Sequence, residues 1–269
     1  MDSLPSLDTP RALTTEEKTT YDGKGWTVVR GLCSPEEVAA YGETIREATI
    51  AHNTETRPLA ERDTYGKAFL QTMNLWRVEP SVARFTLAPR FAGVAAALLG
   101  VERVRLYHDQ SLFKEPGGGR TPWHQDGSYW PLDQSQTITM WMPLIDISED
   151  MGSMSFADGS QTRGLIEKEP GISDRTEVYY QSYIEREGLP IGTAGAMRAG
   201  DATFHSGLTL HGAPGNPTNR VRAVMTVIWM ADGLRVTEPK NPGQTNDLAT
   251  WLPGLHPGDL AASELNPVV

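Results

Sequence analysis

From residue 101 to about residue 235 the chain is a succession of short β-branched and aromatic runs set between glycines, prolines and aspartates. They read "RVRLYHDQSLFKEP", "QTITMWMPLID", "GSMSFADGS", "GDATFHSGLTLHGA" and "RVRAVMTVIWMA". Strands this short, this closely punctuated, predict an antiparallel sandwich or barrel rather than βαβ units. Upstream the pattern turns helical. In "SPEEVAAYGETIREATIAH", Ser34 stands as N-cap, Pro35 takes the first helical position and Glu37 closes a capping box. Val38, Tyr41, Ile45 and Ile50 give that helix an apolar stripe. Thr14 or Thr15 caps an earlier helix running to about Tyr21, and Trp26, Val28 and Val29 suit a strand. "SVARFTLAPRFAGVAAALLG" reads as two helical pieces, broken at Pro89 and ending at Gly100. The expected class is α+β, with a helical N-terminal third packed on a β core of about residues 101–235, and all of residues 1–269 in one domain.

Composition narrows the partners. A formal net charge of −10 is the wrong sign for non-specific nucleic-acid binding and for docking on anionic lipid. A single cysteine, Cys33, cannot make an intrachain disulfide and reads as a small buried residue beside a strand. The N-terminus has no basic-then-apolar signal pattern, and no apolar run approaches the ~18 residues of a membrane span. A cytoplasmic protein acting on a small molecule, with neither nucleic-acid nor membrane partner, is expected; the pattern specifies no oligomeric state. The long polar stretch around residues 163–193 reads as a lid or binding loop inserted between strands.

The chemistry centres on "TPWHQDGSYW" (121–130), where His124 and Asp126 stand two apart. In an extended segment such residues share a face, about 6–7 Å apart at Cα. An imidazole nitrogen and a carboxylate oxygen can then meet on one ion. Two histidines and one carboxylate with open positions form the facial triad of non-haem Fe(II) oxygenases. An HxD pair also arises by chance in surface loops, so a third ligand is required. His52 lies in a predicted helix and His256 in a Pro/Gly-rich tail, while His108 sits on the preceding strand. His211 falls at a strand end just before a Gly/Pro turn, where a sandwich exposes its site residues; His205 lies deeper and suits a supporting hydrogen bond. Arg222 follows His211 by eleven residues across that turn and is placed to clamp a carboxylate. Arg220 shares its face on an ideal strand, and the pattern alone does not choose between them.

These segments together resemble the phytanoyl-CoA dioxygenase (PhyH) family of Fe(II)/2-oxoglutarate-dependent oxygenases. The likeness runs through "DGKGWTVVRGLCSPEEVAAY", "HQD", "TITMWMPLIDISEDMGSMSFADGS" and "HGAPGNPTNRVRA". It implies a double-stranded β-helix (a jelly-roll, cupin-like core) with the N-terminal helices on one sheet. It implies Fe(II) held by His124, Asp126 and His211, and Arg222 rather than Arg220 on the C5 carboxylate of 2-oxoglutarate. Gln110, Thr139 and Trp141 are the matching cosubstrate-lining positions. Two departures stand out: Gln161 where the family often has His, expected to affect the substrate side, and Ala213 where it often has Ser.

The implied reaction consumes O2 and 2-oxoglutarate and hydroxylates an unactivated C–H bond; epimerisation, desaturation or ring closure can arise on the same triad. Because Asp126 is present, halogenation is disfavoured. Tyr129 and Trp130, directly after the metal pair, and Arg163 are the expected substrate contacts, with Tyr179, Tyr180 and Tyr183 in the lid. No basic cluster awaits the phosphates of a CoA thioester. A tailoring role in bacterial secondary metabolism, such as antibiotic biosynthesis, is the resulting expectation. The rival from another class is a cupin-like metal-binding protein or hydrolase, which has no reason to keep a buried arginine.

Overall fold

A computed structural model describes residues 4–133, 135–166 and 172–269. The helices upstream of the sheets begin where their caps demand. Thr14 accepts the Glu17 N–H and the Glu17 carboxylate accepts the Thr14 N–H, starting α1 (Thr15–Lys24). Gly25, at φ 83°, ends it and releases the chain into β1 (Trp26–Val29). Ser34 and Glu37 repeat the capping box for α2 (Pro35–His52). A short α3 (Thr64–Ala68) leads into β2 (Leu70–Met73). Pro80 and Pro89 occupy the first positions of α4 (Pro80–Thr86) and α5 (Pro89–Leu99), so the apolar run breaks where the proline predicts. By length and composition, Pro80–Leu99 is one stretch apolar enough to cross a membrane, which the sequence reading missed; half of it is buried inside the protein. Its Val82, Phe85, Phe91 and Val94 join Tyr41 and Ile45 of α2 in the main core against the larger sheet.

The remaining elements are β3 (Val104–Phe113), β4 (Thr121–His124), β5 (Thr137–Pro143), β6 (Ser155–Ala157), α6 (Asp174–Glu187), β7 (Ile191–Thr193), β8 (Ala202–Ser206), β9 (His211–Ala213), β10 (Val224–Ala231) and α7 (Pro242–Trp251). They form a six-stranded sheet, ordered β1-β8-β5-β10-β3-β2, and a four-stranded sheet, ordered β4-β9-β6-β7. Pairing is antiparallel throughout. The sheets face each other, and Trp141 and Val224 of the larger one share an apolar cluster with Phe156 of the smaller and Met154 just before it. This is the expected double-stranded β-helix, with one extension. Both edge strands of the large sheet, β1 and β2, come from the N-terminal third, so the β core is not confined to residues 101–235.

The inserted stretch adds α6 and the edge strand β7; its residues 167–171 lie outside those described. Tyr180 and Ile184 of α6 pack on Ala157 and Leu210, with Trp123, Tyr179 and Tyr183 around them.

Candidate metal centre and cosubstrate pocket

His124 ends β4, His211 opens β9, and the two are direct cross-strand partners. Antiparallel register thus joins residues far apart in the chain, with ring centroids 4.1 Å apart. Both rings are tied in the same way. His124 Nδ1 lies 2.7 Å from the carbonyl of Pro122, and His211 Nδ1 lies 2.9 Å from that of Thr209. An Nδ1–H donated to a carbonyl leaves the Nε2 lone pair free, which is how a metal-ligating histidine is oriented.

Asp126 departs from the expected strand placement. It opens a 3₁₀ turn, Asp126–Tyr129, instead of continuing β4. The turn is pinned by the Gly127 N–H donating to Gly207 O at 2.8 Å and by the Gln125 side chain, which accepts from Ile166 N–H and donates to Gly164 O. The bend swings the carboxylate back, so Oδ1 lies 3.6 Å from Nε2 of both His124 and His211. The three ligand atoms lie within 4.8 Å of one another. Bonds of about 2.0–2.2 Å, as imidazole and carboxylate make to divalent zinc, would need only a modest inward turn. Oδ2 accepts the Thr139 hydroxyl at 2.8 Å and lies 3.3 Å from His205 Nε2. His205, deep in its strand, thus sits within hydrogen-bond reach of the carboxylate, and Thr139 bonds the carboxylate as well as lining the cavity. Burial pushes the carboxyl of Asp126 up, but the imidazoles of His211, His205 and His124 together outweigh it and hold it well below the usual range. Burial, then a neighbouring imidazole, lowers His124 and His211 to about 4, so both are neutral at pH 7 with lone pairs available. The donor set fits a divalent iron.

The triad opens onto a cavity of about 420 Å³. Arg222 stands just before β10, exchanging main-chain hydrogen bonds with Lys114. Its guanidinium is 1% exposed, lies 5.2 Å from the Trp141 ring centroid and donates Nη1–H to Gly152 O at 2.6 Å. Its Nε has no partner, and no carboxylate pairs with it among the described residues. Burial lowers it to about 9. A buried cation with an unused donor at a cavity wall fits an incoming carboxylate. Arg220, in contrast, is exposed. Trp141 is both core and wall, Gln110 lines the cavity bonded to Gln71, and Ala213 faces Thr121 across the β4–β9 pair. The hydroxyl absent at 213 has a neighbour at 121.

Tyr129 and Trp130, the expected substrate contacts, both line the cavity. Arg163 does not: it lies on the outside, half-exposed and 3.9 Å from Glu187 of α6, because the turn after β6 carries it away from the inner face. Gln161 likewise points from the cavity to the main-chain carbonyls of Asp22 and Gly23 at the end of α1, so its departure from the family pattern falls outside the substrate side. Of the inserted stretch, Ile172 lines the cavity. Sequence reasoning missed the wall built by Tyr65, Phe69 and Gln71 before and within β2, and that built by Asn246, Asp247 and Trp251 of α7. For α7 a signal existed: Asn241 caps and Pro242 starts it.

Two facing sheets holding a His/Asp/His set at strand ends, backed by a buried arginine, define a non-haem iron oxygenase of the 2-oxoglutarate type. The family model for phytanoyl-CoA dioxygenase (PhyH) matches residues 21–224, and the chain belongs to that family. A probable alpha-ketoglutarate-dependent hypophosphite dioxygenase of Stutzerimonas stutzeri is 24% identical over 227 residues, covering 81% of this chain and 79% of that protein. The crystal structure of SnoK, a non-heme alpha ketoglutarate dependent carbocyclase from nogalamycin biosynthesis, is similar with a TM-score of 0.78 and 26% identity, over 97% of this chain and 99% of that one. The epimerase SnoN, crystallised with Fe3+, alpha ketoglutarate and nogalamycin RO, shares the fold with a TM-score of 0.73 and 22% identity, over 94% of this chain and 97% of that one. The protein is an enzyme that uses iron, 2-oxoglutarate and O2, which sets the hydrolase rival aside.

Proposed function

We propose that His124, Asp126 and His211 hold Fe(II), that Arg222 binds the C5 carboxylate of 2-oxoglutarate, and that the enzyme hydroxylates an unactivated C–H bond of a small organic molecule. The observation that carries this reading is the shared orientation of two cross-strand imidazoles, each Nδ1 on a carbonyl and each Nε2 3.6 Å from one carboxylate oxygen. Iron with 2-oxoglutarate and O2 supplies the oxidant, with succinate and CO2 as coproducts. The chain's own work is positional. Thr139 and His205 fix the carboxylate of Asp126, Trp141 packs along Arg222, and Tyr129 and Trp130 form an apolar wall that keeps water from the reacting bond. The test is anaerobic titration with Fe(II) and 2-oxoglutarate, followed by the visible charge-transfer band of the chelate. Absence of that band in wild-type protein would reject the assignment.

A second reading keeps the cofactors and changes the outcome to ring closure or epimerisation. The near full-length likeness to a carbocyclase supports it, and supports a tailoring step in bacterial secondary metabolism. Product mass separates the outcomes: hydroxylation adds one oxygen, ring closure removes two hydrogens and epimerisation leaves the mass unchanged.

A further inference from the structure

Among the described residues, three charged side chains line the cavity: Asp126, Arg222 and Asp247. On the reading just given, iron neutralises the first and the cosubstrate the second. Asp247 is left. It lies on α7, 8% exposed, with Oδ2 accepting the Tyr107 hydroxyl at 3.3 Å, and no cation pairs with it among the described residues. A buried carboxylate without a counterion is costly, so this carboxyl either keeps its proton or takes its counter-charge from a ligand.

A second polar group stands on the same wall. His108 is 6% exposed, lines the cavity, and its Nδ1 has no hydrogen-bond partner. Its ring packs 5.1 Å from that of Trp251. Successive strand residues ordinarily face opposite ways, yet Tyr107 and His108 both reach α7. The cause is a β-bulge: Ile228 of β10 pairs with His108 while Trp229 pairs with Leu106, leaving Tyr107 as the extra residue. The bulge thus aims two consecutive polar side chains at one helix. Aromatic surface surrounds them, with Trp130 5.4 Å from Tyr107.

We infer that Asp247, with His108 beside it, receives a protonated amine carried by the substrate on an apolar, ring-containing body. This deepens the reading above and rests on it. The carboxyl is raised by burial to about 7, so it takes up full negative charge once an ammonium arrives.

The test uses the full-length protein loaded anaerobically with Fe(II) and 2-oxoglutarate, titrated with 9-(aminomethyl)anthracene and with its neutral counterpart 9-(hydroxymethyl)anthracene, read by anthracene fluorescence. Wild type is expected to bind the amine about tenfold tighter than the alcohol. In Asp247→Asn that preference collapses while the alcohol binds as before and the charge-transfer band persists. Equal affinities in wild type, or a preference that survives in Asp247→Asn, overturn the inference. If Asp247→Asn does not fold, the wild-type pair still decides, since an alcohol binding as tightly as the amine overturns it. Loss of the charge-transfer band in wild type would instead reject the cofactor assignment, so the two failures are distinguishable.

Discussion

The two ends of the cavity are built on different terms. At the triad end the imidazoles of His124 and His211 are each locked by a carbonyl two residues back, and the carboxylate between them is held by Thr139 and His205. At the α7 end His108 keeps a bare nitrogen and Asp247 holds a single long bond from Tyr107. One end is pre-organised to hold a fixed geometry whatever enters. The other is unfinished until something enters. Iron chemistry is common to the family, so on the inference above the unfinished end is where this chain's own specificity would reside.

Substitutions that unlock the first end should therefore be the most damaging. Replacing His211 with Ala is expected to abolish turnover and the charge-transfer band together, and full succinate release in that variant would break the contrast. Next comes Arg222→Ala. Removing a buried partner of a charge costs about 3–5 kcal/mol, so KM for 2-oxoglutarate should rise more than a hundredfold while the iron-binding stoichiometry holds.

The pH dependence of stability sharpens the α7 side. Because the folded carboxyl of Asp247 is raised to about 7, its contribution is fully present below the unfolded value near 4 and is lost as pH climbs through 7. Between pH 5 and 8 the wild type should lose about 2–3 kcal/mol relative to Asp247→Asn, measured by urea unfolding. Parallel stability curves would show that this carboxyl is not strained by burial. The smallest effect is expected from Thr139→Val, which removes one bond to Asp126 and should weaken Fe(II) binding about tenfold with the fold intact.

Much of this arrangement was legible in the chain. A cap at Thr14 or Thr15, the capping box at Ser34 and the proline at 89 placed helices correctly because these are local effects, satisfied within a few residues. The metal-site candidates were legible through residue type and family spacing, although the strand argument for His124 and Asp126 had the wrong geometry: a turn, not a shared strand face, returns the carboxylate. Arg163 was misplaced because nothing local reports which side of a turn faces a cavity. The α7 wall and the Tyr107 bulge were hidden for a related reason. Both depend on pairing between segments far apart, and a bulge leaves no mark in the strand that carries it.

Lys114 carries the last consequence. It is fully buried beside Arg222, donating to the carbonyl of Gly119 and, at 3.3 Å, to Thr121 Oγ1, and burial followed by the arginine's charge lowers it to about 6. A sequestered guanidinium with no carboxylate of the described residues against it, beside a lysine that burial leaves mostly uncharged at pH 7, would make a five-carbon diacid part of the folding equilibrium, not only a reactant. At a hundred times its Kd, such a diacid would add about 2.7 kcal/mol to unfolding, and glutarate, which lacks the keto group, would do so without turnover. The lifetime of this enzyme would then track the supply of the metabolite it consumes.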